Sequence, residues 1–131
     1  MENFTIEPSP LTPFVSFDNQ TGILELKGRS SPDNAVVFYE QVISFFDQYF
    51  VTGEAGDITI NVGLEYFNTS SLKCIFQILR RIKDGAEKAA RTLEINWFYE
   101  EDDEDMLETG EDISSLLDME FNYHSEGVGI S

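Results

Sequence analysis

Ile58-Thr59-Ile60-Asn61-Val62 followed by Tyr66-Phe67-Asn68-Thr69-Ser70-Ser71-Leu72-Lys73 is the stretch on which the reading of the fold turns. Its first run is rich in β-branched residues and reads as a strand. From Leu72 to Ile82 the period changes: Leu72, Ile75, Phe76, Leu79 and Ile82 form one apolar helical stripe. Lys73, Gln77, Arg80 and Lys83 fall outside it and face water, and Arg80, Arg81 and Lys83 place cations at the negative end of the helix dipole. A strand therefore passes into a helix through Asn68-Thr69-Ser70-Ser71, three of which carry hydroxyls. Unpaired backbone N–H groups and the positive dipole end lie at such a junction. It suits an anion or a phosphoryl group better than any other part of the chain.

Working outward, residues 1–10 contain Pro8 and Pro10 and read as an extended lead-in. Thr12 to Phe17 alternates apolar and polar residues as a strand does, and Asp18-Asn19-Gln20-Thr21-Gly22 is turn chemistry. Ile23 to Gly28 then completes a hairpin. Ser31-Pro32-Asp33 reads as a helix start, with Ser31 as N-cap and Pro32 at the first helical position. That helix runs to about Phe50, with residues 35, 38, 39, 42, 45, 46 and 49 on its buried face. Val36, Ile43 and Phe50 form a second apolar line, open to reading as further core or as a partner surface. Gly53 to Asp57 turns the chain into the strand from Ile58 to Val62 or Leu64, and Thr92 to Tyr99 is another strand. Between Glu100 and Asp112 nine of thirteen residues are acidic, yet Met106, Leu107, Ile113, Leu116 and Leu117 mark an apolar helical stripe. Gly110 weakens the middle of that helix. Phe121 to His124 closes as a short edge strand, and Gly127 to Ser131 is tail. The order β-β-α-β-α-β-α-β describes a single α/β domain over residues 1–131, a mixed sheet with about three helices packed on it.

Composition narrows the function classes. With 8 Lys and Arg against 25 Asp and Glu, the formal net charge is −17. Phosphate-backbone binding needs clustered cations, so nucleic acid is disfavoured, and an anionic membrane surface for the same reason. A protein with a basic patch is the natural partner, although solubility alone explains such a charge equally well. No apolar run is long enough to cross a bilayer, and Met1-Glu2-Asn3-Phe4 lacks the features of a signal peptide. Cys74 is the single cysteine, which excludes an internal disulfide. A cytoplasmic protein is expected.

Catalysis is hard to assemble. His124 is the only histidine and reads as a surface strand residue, while Cys74 falls inside a helix and reads as a small buried side chain. A hydrolase or transferase with Thr69 or Ser70 as nucleophile would lack a supported general base. The glycines match no phosphate-binding loop, and setting Gly110 at the glycine of an EF-hand puts Leu107 on a ligand position. No cofactor and no dedicated metal site is expected, and the chain reads as a non-enzyme. The Asn68–Ser71 segment remains. Its plain role is helix capping by Asn68 or Thr69, worth about 1 kcal/mol. Phosphorylation is compatible with that role, because the helix start tolerates the added charge while the outer surface changes.

Three segments together resemble one family. Leu64-Glu65-Tyr66-Phe67-Asn68-Thr69-Ser70-Ser71-Leu72-Lys73 is similar to the signature of the SiaC family of bacterial regulatory phosphoproteins. Gly28-Arg29-Ser30-Ser31-Pro32-Asp33-Asn34 resembles that family too, as does Trp97-Phe98-Tyr99 leading into Glu101-Asp102-Asp103-Glu104-Asp105-Met106. The resemblance implies a STAS-like α/β fold and a threonine switch. On that resemblance a Ser/Thr protein kinase is expected to phosphorylate the motif threonine, here Thr69, and a PP2C-type phosphatase to reverse it. The resemblance further implies that the unphosphorylated form binds and activates a diguanylate cyclase that controls cyclic-di-GMP and biofilm growth. Asn68, Ser70 and Ser71 complete the partner-binding motif around Thr69, and a monomer or weak homodimer is expected. STAS anti-sigma-factor antagonists commonly carry Asp and Gly where this chain has Asn68 and Ser71. An antagonist in a partner-switching system is therefore the second branch, and an anion- or nucleotide-binding STAS module the third.

Overall fold

Six strands and three helices follow in the order β1 (Phe4–Ile6), β2 (Phe14–Asp18), β3 (Ile23–Ser30), α1 (Ala35–Val51), β4 (Ile58–Phe67), α2 (Thr69–Lys88), β5 (Leu93–Glu100), α3 (Glu104–Leu117) and β6 (Asn122–Glu126). The structure is a computed structural model that describes residues 3–127. Met1, Glu2 and residues 128–131, including most of the expected tail, lie outside the described residues. The strands lie in the sheet in chain order, β1-β2-β3-β4-β5-β6. The first three are antiparallel, and β3, β4, β5 and β6 are parallel. This is the expected mixed α/β sheet with one strand added. The lead-in pairs with β2 through Phe4↔Phe17 and Ile6↔Val15, because Phe4 has a ring to bury against Phe45, 4.9 Å away.

The register shows that all three helices cover one face. Phe17, Leu24, Ile60 and Ile95 are lateral neighbours and all buried. Phe17 packs edge-on against Phe46 and Tyr49 of α1, at 5.1 Å in each case. Trp97, two residues along from Ile95 and so on the same face, donates its indole N–H to the Met106 carbonyl of α3 at 2.9 Å. Helix α2 packs beside α1. The opposite face carries a row of polar and charged residues across the six strands: Thr5, Ser16, Glu25, Asn61, Asn96 and Asn122. Side-chain amides link the last three, Asn96 to Asn61 at 2.9 Å and Asn122 to Asn96 at 3.2 Å. Alternation along each strand thus separates a dry side from a wet one.

Several boundaries depart from expectation for identifiable reasons. Helix α1 begins after Asn34, whose side chain accepts from the Val37 N–H at 3.2 Å, and not after Ser31. Ser31 is held outside the helix because its N–H bonds the Leu11 carbonyl at 2.8 Å. On α1 the second apolar line splits: Ile43 and Phe50 pack against the core, whereas Val36 is 68% exposed. Strand β4 runs on to Phe67 because β3 accompanies it through a bulge between Gly28 and Arg29, ending at Ser30↔Phe67. Helix α2 starts three residues before Leu72, so the hydroxyl residues form its first turn.

Gly110 is a packing device and not a weak point. A Cβ there would sit 2.6 Å from Trp97 Nε1, so the absent side chain lets α3 lie flat on the indole. On helix propensity alone Gly110→Ala would stabilise by about 1 kcal/mol. We expect the opposite sign, a loss of about 1–3 kcal/mol from overpacking, in urea unfolding followed by Trp97 fluorescence.

Candidate functional site

The parallel strands β3, β4 and β5 each run into a helix at the same edge of the sheet, through the caps Asn34, Asn68 and Asp103. The middle junction holds the hydroxyl cluster. Asn68 is extended, and its side-chain oxygen accepts from the Ser71 N–H at 2.9 Å. Its own N–H donates to the Ser30 carbonyl at 3.0 Å and its amide reaches the Pro32 carbonyl at 3.5 Å. Asn68 is thus both the cap of α2 and a tie to the segment between β3 and α1. The capping choice left open between Asn68 and Thr69 falls to Asn68. The N–H groups of Thr69 and Ser70 have no partner among the described residues.

Successive residues of a helix are rotated by about 100°, and this sorts the three hydroxyls. Ser71 points inward and is fully buried. Ser30 Oγ donates to Ser71 Oγ at 2.8 Å. The Tyr39 hydroxyl lies 2.6 Å from the same Ser30 oxygen. Ser30 spends its one proton on Ser71, so Tyr39 is the donor in that contact. Burial pushes the Tyr39 phenol up to about 12, against the smaller opposing pull of the Ser30 hydrogen bond. The chain Tyr39–Ser30–Ser71 therefore pins α1, β3 and α2 together through neutral hydroxyls. Thr69 and Ser70 are exposed. Of the four motif residues, Asn68 and Ser71 hold the turn, and only Thr69 and Ser70 are open to chemistry.

The surroundings are apolar and acidic. Leu11, whose carbonyl receives Ser31, and Tyr66 at the end of β4 are exposed at this edge, as are Val36 and Val37 in the first turn of α1. Arg29 stacks its guanidinium over the Tyr66 ring at 4.7 Å. A recess of about 270 Å³ holds Glu65, Tyr66 and Phe67 against Asp103, Asp105, Met106 and Thr109. The remaining candidates lie apart. His124 is on β6, stacked on Phe98 at 4.8 Å and within 3.2 Å of Asn96 Oδ1, which places it on the face of the sheet away from the helices. It cannot serve Thr69 or Ser70 as a base. Cys74 is buried, and desolvation raises its thiol pKa. No cluster of three or more His, Cys, Asp or Glu fit to hold a metal occurs among the described residues. Sequence reasoning missed Ser30, because its partner Ser71 is 41 residues away. Of the apolar stripe read on α3, Met106, Ile113 and Leu117 are buried, whereas Leu116 is 67% exposed.

Ser71→Ala is expected to destabilise by about 1–2 kcal/mol in urea unfolding, since it strands the buried Ser30 hydroxyl. Thr69→Ala should stay within about 0.5 kcal/mol of wild type. The raised Tyr39 pKa adds a pH signature. Its stabilising contribution is fully present below the unfolded phenol value near 10 and is lost as pH rises toward about 12. Tyr39→Phe should therefore be less stable than wild type at pH 8 and lose less stability between pH 9 and 11.

Comparison with known proteins agrees with this fold. A family model described as SiaC family regulatory phosphoprotein matches residues 6–126. An uncharacterized protein of Pseudomonas aeruginosa strain UCBPP-PA14 is 29% identical over 112 residues, covering 86% of this chain and 87% of that one. The structure of SiaC of Pseudomonas aeruginosa superposes with a TM-score of 0.81 at 25% identity, over 97% of this chain and 99% of that chain. A chain in the crystal structure of the diguanylate cyclase SiaD in complex with its activator SiaC, from the same organism, matches with a TM-score of 0.80 at 26% identity. That match covers 95% of this chain and 98% of the other. The chain belongs to the SiaC family of regulatory phosphoproteins.

Proposed function

We propose that this chain is a non-enzymatic switch in which Thr69 is the phosphoacceptor and the unphosphorylated form binds and activates a diguanylate cyclase. The observation that carries the reading is the sorting of the hydroxyls, with Thr69 exposed in the first turn of α2 and Ser71 locked beneath it. A kinase would transfer the γ-phosphoryl group of ATP to Thr69 Oγ1 with loss of the hydroxyl proton, and a PP2C-type phosphatase would hydrolyse it. The phosphate brings roughly −1.5 to −2 charge to a helix start that accommodates it, so the fold persists. The surface around it changes from apolar to dianionic, and burying a dianion against an apolar partner is costly. The SiaC of Pseudomonas aeruginosa is described as the activator of the cyclase SiaD, which supports assigning the same kind of partner here. The output is control of cyclic-di-GMP in the cytoplasm, and through it of biofilm growth. Catalysis by the chain itself lacks a base, given His124 on the other face of the sheet.

The test is cyclic-di-GMP production from GTP by the SiaD-like cyclase of the same cell. Wild type and Thr69→Ala should activate it equally. Protein carrying phosphothreonine at position 69, introduced during synthesis, should lose at least about tenfold in apparent affinity for the cyclase. Thr69→Asp should fall between them. Equal activation by the phosphorylated and unmodified proteins would remove Thr69 as the switch.

A further inference from the structure

At the opposite end of α2 from Thr69, a cavity of about 310 Å³ opens between the last turns of α1 and α2 and the loop that follows α1. Phe50, Ala55 and Ala89 give it an apolar wall, Gly53 and Gly85 leave room in it, and Lys88 and Arg91 supply charge. A Cβ on Gly85 would fall 2.5 Å from the Phe50 ring, so the missing side chain lets that ring lie against α2. The sign of the charge sets this cavity apart. With 25 Asp and Glu in the chain, four other recesses each include at least one carboxylate, whereas this one has two cations and none. Glu54 does not line it, and Asp57, further along the loop, accepts from the Thr92 N–H at 2.9 Å. Neither Lys88 nor Arg91 has a salt-bridge partner among the described residues.

Cations at the end of a helix ordinarily serve its last carbonyls and its dipole, but here the carbonyls are already satisfied. Those of Gln48 and Tyr49 in α1 accept from the Thr52 N–H at 3.2 Å and from its hydroxyl at 2.8 Å. Those of Gly85, Ala86 and Glu87 in α2 accept from the N–H groups of Ala89, Arg91 and Ala90 at 3.0, 2.9 and 3.1 Å. Even if each helix end still contributes about −0.5, two cations leave the cavity a surplus of about +1. Gly53 and Ala55 add backbone N–H groups without a partner among the described residues. Positive charge and spare donors beside an apolar wall fit an anion carried on a flat, largely apolar body. We propose that this cavity binds a nucleoside monophosphate, with the phosphoryl group between Lys88 and Arg91 and the base against Phe50, Ala55 and Ala89. The Arg91 guanidinium can grip two phosphoryl oxygens at once, and Lys88 adds a compact charge. The volume lies at the low end of the roughly 300–1,000 Å³ of ligand pockets, which suits a mononucleotide better than a dinucleotide. Thr69 lies about 28 Å away along α2, so the site does not rest on the function proposed above.

The test is a titration of the full chain with AMP and with GMP, followed by amide NMR. Saturable shifts should appear at residues 53–56 and 85–91. Adenosine and inorganic phosphate, each offering part of the contacts, should bind at least about tenfold more weakly than AMP. Lys88→Ala and Arg91→Ala should each weaken AMP at least about tenfold, the loss expected for a charged hydrogen bond. Arg91→Lys, which keeps the charge without the fork, should fall between Arg91→Ala and wild type. Ala89→Glu should abolish binding by placing a carboxylate in the cavity. Positions 88, 89 and 91 are exposed, so the variants should keep the wild-type circular dichroism. Thr69→Ala should bind AMP as the wild type does. No saturable shift with either nucleotide at millimolar concentration would overturn the proposal, as would equal affinity of the Lys88 and Arg91 variants. Shifts centred on Thr69 to Leu72 would also overturn it, by putting the anion at the start of α2. Inorganic phosphate binding as tightly as AMP would remove the nucleotide.

Discussion

Strand order is the constraint from which the rest of this molecule follows. From β3 to β6 each parallel strand is laid beside the one before it, always in the same direction. A β-α-β crossover is right-handed, so three crossovers that advance the same way put their helices on the same face. The register bears this out, since Phe17 under α1 and Trp97 under α3 lie on one side of the sheet. The same topology brings the starts of α1, α2 and α3 to one edge, each capped by Asn or Asp. A polar, helix-free face opposite is the other outcome. Everything proposed to happen at Thr69 happens on the edge that this winding creates.

At that edge the buried chain Tyr39–Ser30–Ser71 has a second consequence. It uses one of the three candidate hydroxyls for structure and ties α2 down at Ser71, with Thr69 left exposed. Neutral hydroxyls suit this place better than an ion pair would, because burial is costly for a charge and mild for a satisfied O–H. The raised Tyr39 pKa is the same fact seen from the proton's side. A rigid turn with one modified oxygen can alter its surroundings without altering itself, which is what a binding switch requires.

Acidic composition takes on a sharper meaning in three dimensions. The net charge of −17 suggests a uniformly acidic surface. Instead most of the few cations are gathered on α2, beside an α3 that has none. Because α2 and α3 stand apart, their apolar sides are left uncovered between walls of opposite sign. Leu116 belongs to the apolar stripe of α3 and stays exposed in the groove between the two helices for this reason.

By itself the sequence determined what neighbouring residues can encode. The strand at Ile58, the helical stripe from Leu72, the hairpin around Gly22 and the position of Asn68–Ser71 all follow from periods of two and of three to four, and from turn and cap chemistry. The family resemblance was also legible there, and with it the proposal of Thr69. Only the tertiary structure decided matters that depend on distant partners. Phe4 makes a strand of the lead-in because Phe45 is there to receive it, and Leu11 keeps Ser31 out of α1. Ser30 and Ser71 are inseparable in space and 41 residues apart in the chain. Local periodicity states which side of an element is apolar, but burial is a property of what lies opposite, and that is settled only when the chain has closed upon itself.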